Sequence, residues 1–245
     1  MVLAAGCGTR LRPLTQTIPK CMVPIAGRPL LEHTLLWLSG SGITEIVINL
    51  HYLPEVVRSH FADGRKWGVQ ITYSEEKQLL GTAGAVKKAE SLFEGEPFFV
   101  WYGDNLSKCD LDSLWEHHKQ SRTAATIALH YREDPTQSGM VGLDEVGRIT
   151  SFTEKPRRED VFSHWVNGGI YVVGSEVLAR IPERTVCDFG RDIFPDLLKS
   201  GVPLNSYLMT DEEGPWWIDT PADLERSELL FQVPNESRLA KTYYE

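Results

Sequence analysis

Residues 3–15 read LAAGCGTRLRPLT, and three residues later the chain reaches Pro19-Lys20. Gly6 and Gly8 permit close backbone approach and unusual φ/ψ, so N–H groups there can face a phosphate. Arg10, Arg12 and Lys20 set three cations close behind that turn, in a chain whose net charge is negative. Two familiar phosphate loops fail on residue identity. A P-loop needs a lysine directly after its last glycine, and none follows Gly8. A dinucleotide fingerprint needs a third glycine or alanine where Leu11 stands. The remaining chemistry is an anion site built from a glycine turn and placed cations.

The whole chain supports a placed site rather than a general electrostatic one. Its 245 residues carry 25 Lys plus Arg against 34 Asp plus Glu, a formal charge of −9. Such a surface has no general pull toward nucleic acid or anionic membrane, so neither is an expected partner. Cys7, Cys21, Cys109 and Cys187 lie far apart with no C-x-x-C pair, which argues against a zinc site or redox dithiol. No apolar run reaches about 18 residues, and MVLAAG lacks the basic and apolar regions of a signal peptide. A cytoplasmic location is expected.

The elements that must position the glycine turn follow an alternating rhythm. Apolar runs at 1–5, 46–50, 69–73 and 97–102 read as strands, the β-branched run at 46–50 as one buried on both faces. Helical spacing at 29–38, 54–61 and 83–92 falls between them. This β-α-β alternation predicts a mostly parallel sheet with helices on both faces. After Asp104 the rhythm becomes more antiparallel. Helices are expected at 111–120, 175–181, 193–199 and 221–231, strands at 124–130, 141–143, 149–153, 169–173 and 204–209, and a hairpin turn at 145–147. The expected architecture is one α/β domain over 1–231, with a nucleotide-type half (1–110) and a substrate half (111–231). Residues 232–245 read as a frayed tail or a short oligomer-contact helix, which leaves a homo-oligomer open.

Several motifs occur in a telling order: LAAGCGTRLRPLT, Pro19-Lys20, Gly27-Arg28-Pro29-Leu30, Leu80-Gly-Thr-Ala-Gly-Ala85, Gly103-Asp104-Asn105, Glu154-Lys155-Pro156, Asn167-Gly-Gly-Ile-Tyr171 and Trp217-Ile-Asp219-Thr-Pro221. In content and order they resemble the sugar-1-phosphate nucleotidyltransferases, over about residues 1–230. The resemblance implies a Rossmann-like, glycosyltransferase-A-like fold and transfer of a nucleotidyl group from an NTP to a sugar 1-phosphate. It implies that Leu3, Ala4, Gly6, Gly8, Thr9 and Arg10 cradle the nucleotide, with Arg10 at the β/γ-phosphates and Lys20 at the α-phosphate. The base would meet Gly81 and Thr82 at the start of a helix, with Thr82 a candidate N-cap and Glu76 a candidate contact. The sugar phosphate would meet Gly139, Glu154, Lys155 and Asn167. Asp104 and Asp219 would jointly hold a Mg²⁺, since that ion takes one or two carboxylates plus phosphate oxygens and water.

Base and sugar are less legible. Asn49-Leu-His-Tyr-Leu-Pro54, LGTAGA and Asp188-Phe-Gly look most like bacterial mannose- or heptose-1-phosphate guanylyltransferases, so GTP is expected, with thymidylyl-, uridylyl-, adenylyl- and cytidylyltransfer as alternatives. A catalytically silent regulatory homologue is a second class; release of pyrophosphate separates it from an enzyme. No left-handed β-helix repeats follow, so no acyltransferase is expected. His117-His118 is expected on a solvent-facing helix side, Lys20 on an exposed loop, Met22 and Trp37 in the core, and Asp188 as a helix cap. Arg12 reads as a surface or helix-dipole residue as readily as a ligand. Trp216-Trp217 reads equally as a sugar-pocket wall or as core.

Overall fold

A computed structural model of the chain describes residues 1–231; the expected tail and oligomer contact at 232–245 lie outside the described residues. In the first half, the apolar runs ended by glycine or a polar turn become strands. They are β1 (Val2–Leu3), the small pair β2 (Pro24–Ile25) and β3 (Arg28–Pro29), β4 (Glu45–Leu50), β5 (Gln70–Glu75), β6 (Phe98–Tyr102) and β7 (Asn105–Leu106). Between them lie α1 (Leu30–Gly40), α2 (Pro54–Phe61) and α3 (Gly81–Lys88). The second half supplies α4 (Leu111–Ser121), β8 (Ala125–Tyr131), β9 (Gly139–Leu143), β10 (Ile149–Glu154) and β11 (Trp165–Val173). It continues with α5 (Ser175–Arg180), α6 (Phe194–Lys199), β12 (Leu204–Leu208), β13 (Trp216–Trp217) and α7 (Pro221–Phe231).

One nine-stranded mixed sheet runs through both halves, in the order β10-β9-β11-β6-β1-β4-β5, with β8 on β11 and β12 on β8. The first half is parallel: β1 pairs with β4 and β6, and β4 with β5. In the second half β8, β9, β10 and β11 are antiparallel, as the hairpin at 145–147 requires. Buried apolar groups cover both faces of the sheet, one cluster beneath α1 and α2 and another beneath α3, α5 and α6. A third, smaller cluster joins Leu11, Leu30, Leu106 and Ile218 under the glycine turn.

Chain order reverses at β1, whose neighbours are β4 and β6. Open α/β sheets leave a crevice at the carboxyl ends of the strands where the order reverses. Gly6 follows β1 and Asp104 follows β6, so both stand at that crevice.

Three local expectations need correction, and one unforeseen turn appears. The helix expected over 83–92 is α3 at Gly81–Lys88 followed by a 3₁₀ turn at Glu90–Leu92. The strand expected at 169–173 begins at Trp165 and carries an irregularity between Asn167 and Tyr171. A single π-turn, Phe189–Ile193, precedes α6. His118 is buried rather than solvent-facing, with Nδ1 3.0 Å from Thr126 Oγ1. Leu111, Leu114 and His118 share one helical stripe, so His118 turns toward the sheet with its apolar neighbours.

Candidate active site

Gly8 adopts φ +57, and a Cβ there would come within 2.8 Å of the Lys20 Cβ. The turn therefore needs glycine to let Lys20 pass close beneath it. Thr15 locks the arrangement by donating its hydroxyl to the Gly8 carbonyl at 2.7 Å. Lys20 is not on an exposed loop, as expected from sequence, but has only 7 % of its side chain exposed. Its ammonium lies 2.8 Å from Asp104 Oδ2 and 3.0 Å from Asp219 Oδ1. Arg10 reaches the same Asp219 oxygen at 3.0 Å. Burial alone would lower the Lys20 pKa, but the two carboxylates outweigh it and hold the pKa above the ordinary value. Asp219 is placed by the turn before α7, where Thr220 and Asp223 cap each other: the Thr220 N–H donates to Asp223 Oδ2 at 2.9 Å and the Asp223 N–H to Thr220 Oγ1 at 3.2 Å. The spacing Thr-x-x-Asp before the helix is the sequence signal for this cap.

Two cavities meet at this cluster. The first, about 250 Å³, is lined by Leu3, Ala4, Ala5, Gly6, Lys20, Cys21, Asn49, Glu76, Leu79 and Gly81. Its wall is a closed hydrogen-bond chain. The Ala4 N–H donates to Asn49 Oδ1 at 2.8 Å, Asn49 Nδ2 to Glu76 Oε1 at 2.7 Å, and the Leu80 N–H to Glu76 Oε2 at 2.9 Å. Glu76 thus has both oxygens engaged and holds β1, β4 and the start of α3 together. Asn49 was named from sequence only within the 49–54 stretch and not as a site residue; its polar side chain in a run buried on both faces was the available signal. Cys21, also on this wall, has its thiol pushed up to about 12 by burial.

The second cavity, about 280 Å³, is lined by Arg10, Asn105, Gln137, Ser138, Gly139, Glu154, Lys155, Asn167, Gly190, Arg191, Trp217 and Asp219. Lys155 has φ +49, a left-handed conformation that ordinary residues rarely adopt. Successive strand residues point to opposite faces; the reversal at Lys155 lets Glu154 and Lys155 both line one cavity. Its N–H donates to the Ser138 carbonyl at 3.0 Å, which fixes the reversal. Asn167 accepts from the Gly169 N–H at 2.9 Å and donates to the Tyr171 hydroxyl at 2.7 Å, so its amide shapes the irregularity in β11. Trp217 walls the cavity beneath the Arg132 guanidinium at 4.7 Å, whereas Trp216 packs on Phe231. Trp217 thus lines a cavity and Trp216 is packed against another ring.

Thr82, Tyr102, Asp104 and Asp188 line both cavities. Thr82 is not the N-cap of α3; that position is Leu80, and Asp188 caps the helix from the other half of the chain. Asp188 Oδ1 accepts from the Thr82 N–H at 3.2 Å and its hydroxyl at 3.1 Å. The Phe189 N–H returns a bond to Thr82 Oγ1 at 3.0 Å. Gly81 is required by packing as well, because a Cβ there would lie 2.5 Å from the Cys187 carbonyl oxygen. Thr9 and Arg12 are both exposed, and neither lines either cavity.

Asp104 and Asp219 present hard oxygens to one point, now filled by the Lys20 ammonium, so the donor set suits a small divalent cation. No cluster of three or more potential metal-ligating side chains occurs among the described residues, so further ligands would come from substrate and water. Among the described residues no helix is long and apolar enough to cross a membrane.

The chain is 38% identical over 232 residues to a Synechocystis UTP–glucose-1-phosphate uridylyltransferase, matching 89% of this chain and 59% of that one. It is 36% identical over 229 residues to a Mycobacterium tuberculosis mannose-1-phosphate guanylyltransferase, matching 92% of this chain and 62% of that one. The chain therefore spans about three fifths of the length of these curated relatives. In fold it superposes on HddC from Yersinia pseudotuberculosis, crystallised with GMP-PN, with a TM-score of 0.79 at 24% identity over 94% of this chain and 97% of that one. With residues 1–222 matching the family described as nucleotidyl transferase, the chain belongs to that family.

Proposed function

We propose that the chain transfers a nucleotidyl group from an NTP to a sugar 1-phosphate, giving an NDP-sugar and pyrophosphate. The observation that carries this reading is the meeting of two cavities at Lys20, Asp104 and Asp219, beneath the Arg10 turn. The nucleotide lies in the cavity walled by Ala4, Asn49, Glu76 and Gly81, and the sugar phosphate in the one holding Glu154 and Lys155. An oxygen of the sugar phosphate attacks the α-phosphorus as the bond to the departing pyrophosphate breaks. That oxygen is already ionised near neutral pH, so the step needs no general base. Catalysis then consists of positioning and charge neutralisation. Lys20 neutralises the α-phosphate, Arg10 the departing phosphates, and Lys155 the attacking phosphate.

Mg²⁺, held by Asp104 and Asp219, would offset repulsion between the two anionic substrates and polarise the α-phosphate. Asp104 and Asp219 would hold the ion from either side of the place the Lys20 ammonium takes, which would leave Lys20 to face the nucleotide. GTP with a mannose- or heptose-type sugar is the preferred pair, on the likeness to guanylyltransferases. The uridylyltransferase among the relatives at 38% identity keeps UTP with glucose 1-phosphate as the second reading. The test is a matrix of five NTPs against a panel of sugar 1-phosphates, read by pyrophosphate release with and without EDTA. Release with one pair, lost in EDTA and restored by Mg²⁺, is expected. No release with any pair would overturn the proposal.

A further inference from the structure

Glu154 ends β10 with its side chain open to the second cavity, yet no hydrogen bond or ion pair ties down its carboxylate among the described residues. The protein packed around it displaces enough water to raise its pKa above the usual carboxylate range. The carboxylate is held in direction by what flanks it. On one side a Cβ at Gly139 would lie 2.9 Å from Glu154 Oε2 and 2.7 Å from the Phe152 ring. On the other a Cβ at Gly190 would lie 2.9 Å from the same oxygen and 3.0 Å from the same ring. The carboxylate therefore sits in a slot between two glycines, and the cavity is the open side.

Neither flank is free to retreat. Gly139 is the β-ladder partner of Glu154. Gly190 belongs to the π-turn anchored by the fully buried Phe189, whose N–H donates to Thr82 Oγ1. Side chains at either position would meet the carboxylate closer than real Cβ contacts allow, so the carboxylate would have to swing out of line.

We infer that Gly190, with Gly139, is a positioning residue that sets sugar recognition by keeping the unpaired Glu154 carboxylate aimed into its cavity. A carboxylate so held offers two acceptor oxygens side by side, which suits a sugar presenting two adjacent hydroxyl donors. The Asp188-Phe189-Gly190 stretch thereby serves both cavities: Asp188 caps α3 beside the nucleotide, and Gly190 aligns Glu154 for the sugar. The inference rests on the sugar-phosphate reading of this cavity.

The test measures sugar 1-phosphate and NTP binding by calorimetry, alongside steady-state kinetics, for wild type and Gly190→Ala. The sugar 1-phosphate KM is expected to rise at least about tenfold, with kcat within about threefold and the NTP KM unchanged, as loss of one well-placed contact to a charged acceptor implies. Glu154→Asp withdraws the carboxylate by one methylene and gives a second background that relieves its clash, the Phe152 contact being common to both. There, adding Gly190→Ala should cost less than about twofold, the coupling expected of groups in contact. An unchanged sugar KM, an equal penalty in both backgrounds, or an NTP KM that rises in step would overturn the inference. Wild-type protein that binds no sugar 1-phosphate would instead overturn the reading beneath it.

Discussion

The walls of the two cavities are built on opposite plans. In the cavity proposed for the nucleotide the polar groups are buried and already satisfied: Asn49 and Glu76 bond to backbone and to each other, and Lys20 lies between two carboxylates. In the cavity proposed for the sugar phosphate, Asn167 is satisfied within β11, but Glu154 and Lys155 are exposed and, among the described residues, Arg191 is tied to Asp188 alone. The first wall is carried by parallel strands and the start of a helix, the second by a strand end reversed at a left-handed residue. On the proposed reading, the prebuilt wall meets the part of the substrate common to every turnover, a nucleoside triphosphate. Groups left open suit the part by which one sugar is told from another, because a sugar that covers them without pairing them leaves a donor or acceptor newly buried, at about 1–3 kcal/mol.

The largest expected effect lies at the junction. Lys20→Ala should lower turnover by roughly 10²–10³-fold, the loss typical of one electrostatic stabiliser. It should also destabilise the fold, because Asp104 and Asp219 would face each other without the ammonium. Breaking a fully buried pair costs about 3–5 kcal/mol; with Asp104 42 % exposed, water screens the remainder, and about 1–2 kcal/mol is expected in chemical denaturation. Added Mg²⁺ should raise the melting temperature of Lys20→Ala more than that of wild type, since the cation can take the vacated place. An equal response in both proteins would separate the metal from these two carboxylates.

A smaller effect should sharpen the contrast between the walls. Lys155→Ala should weaken sugar 1-phosphate binding by about 10- to 100-fold, one hydrogen-bonded charge contact, and leave NTP affinity within about twofold. Calorimetry with each ligand alone checks this, and equal losses for both ligands would erase the division. Acid should act on the same side first. The raised Glu154 pKa means that its acceptor form is lost, as pH falls, earlier than for an ordinary carboxylate. The sign for stability is opposite: the protonated form is the one the fold favours, so this group's contribution is present at low pH and lost as pH rises through the folded pKa. Glu154→Gln should therefore abolish the acid limb of sugar binding while leaving the melting temperature at neutral pH equal to wild type or slightly higher.

The smallest expected effect lies in the prebuilt wall. Asn49→Ala leaves the Ala4 N–H and one Glu76 oxygen buried without partners, at a cost of about 1–3 kcal/mol of stability. NTP affinity should fall by a few-fold and sugar 1-phosphate affinity should not change. Denaturation and calorimetry together check this; a sugar-side loss would mean that the walls are not independent.

The same contrast explains what could be read from sequence. Strands at 46–50 and 97–102 and the helix at 54–61 lie within a residue of their expected bounds, because an apolar run between turn residues is a local signal. The glycine turn and the cations behind it were also legible, since they lie within 15 positions of each other. What failed was non-local. Lys20 is buried by Asp219, which lies 199 residues away, and Thr82 is capped by Asp188, 106 residues away. His118 turns inward because β8 lies beneath its stripe, and the Glu154 slot exists only where Gly139 and Gly190 close on it.

The central claim is that the sugar phosphate attacks the α-phosphorus directly across the junction of the two cavities. Cys21, a thiol on the nucleotide wall, is held protonated by a pKa of about 12, and no side-chain nucleophile is invoked. The most direct measurement is the stereochemical course at phosphorus, followed with an α-thio analogue, of defined configuration, of the NTP that the protein turns over. A single in-line displacement inverts that centre, and inversion in the NDP-sugar product is the predicted result. Retention would require two displacements through a nucleotidylated protein group, and would contradict the account.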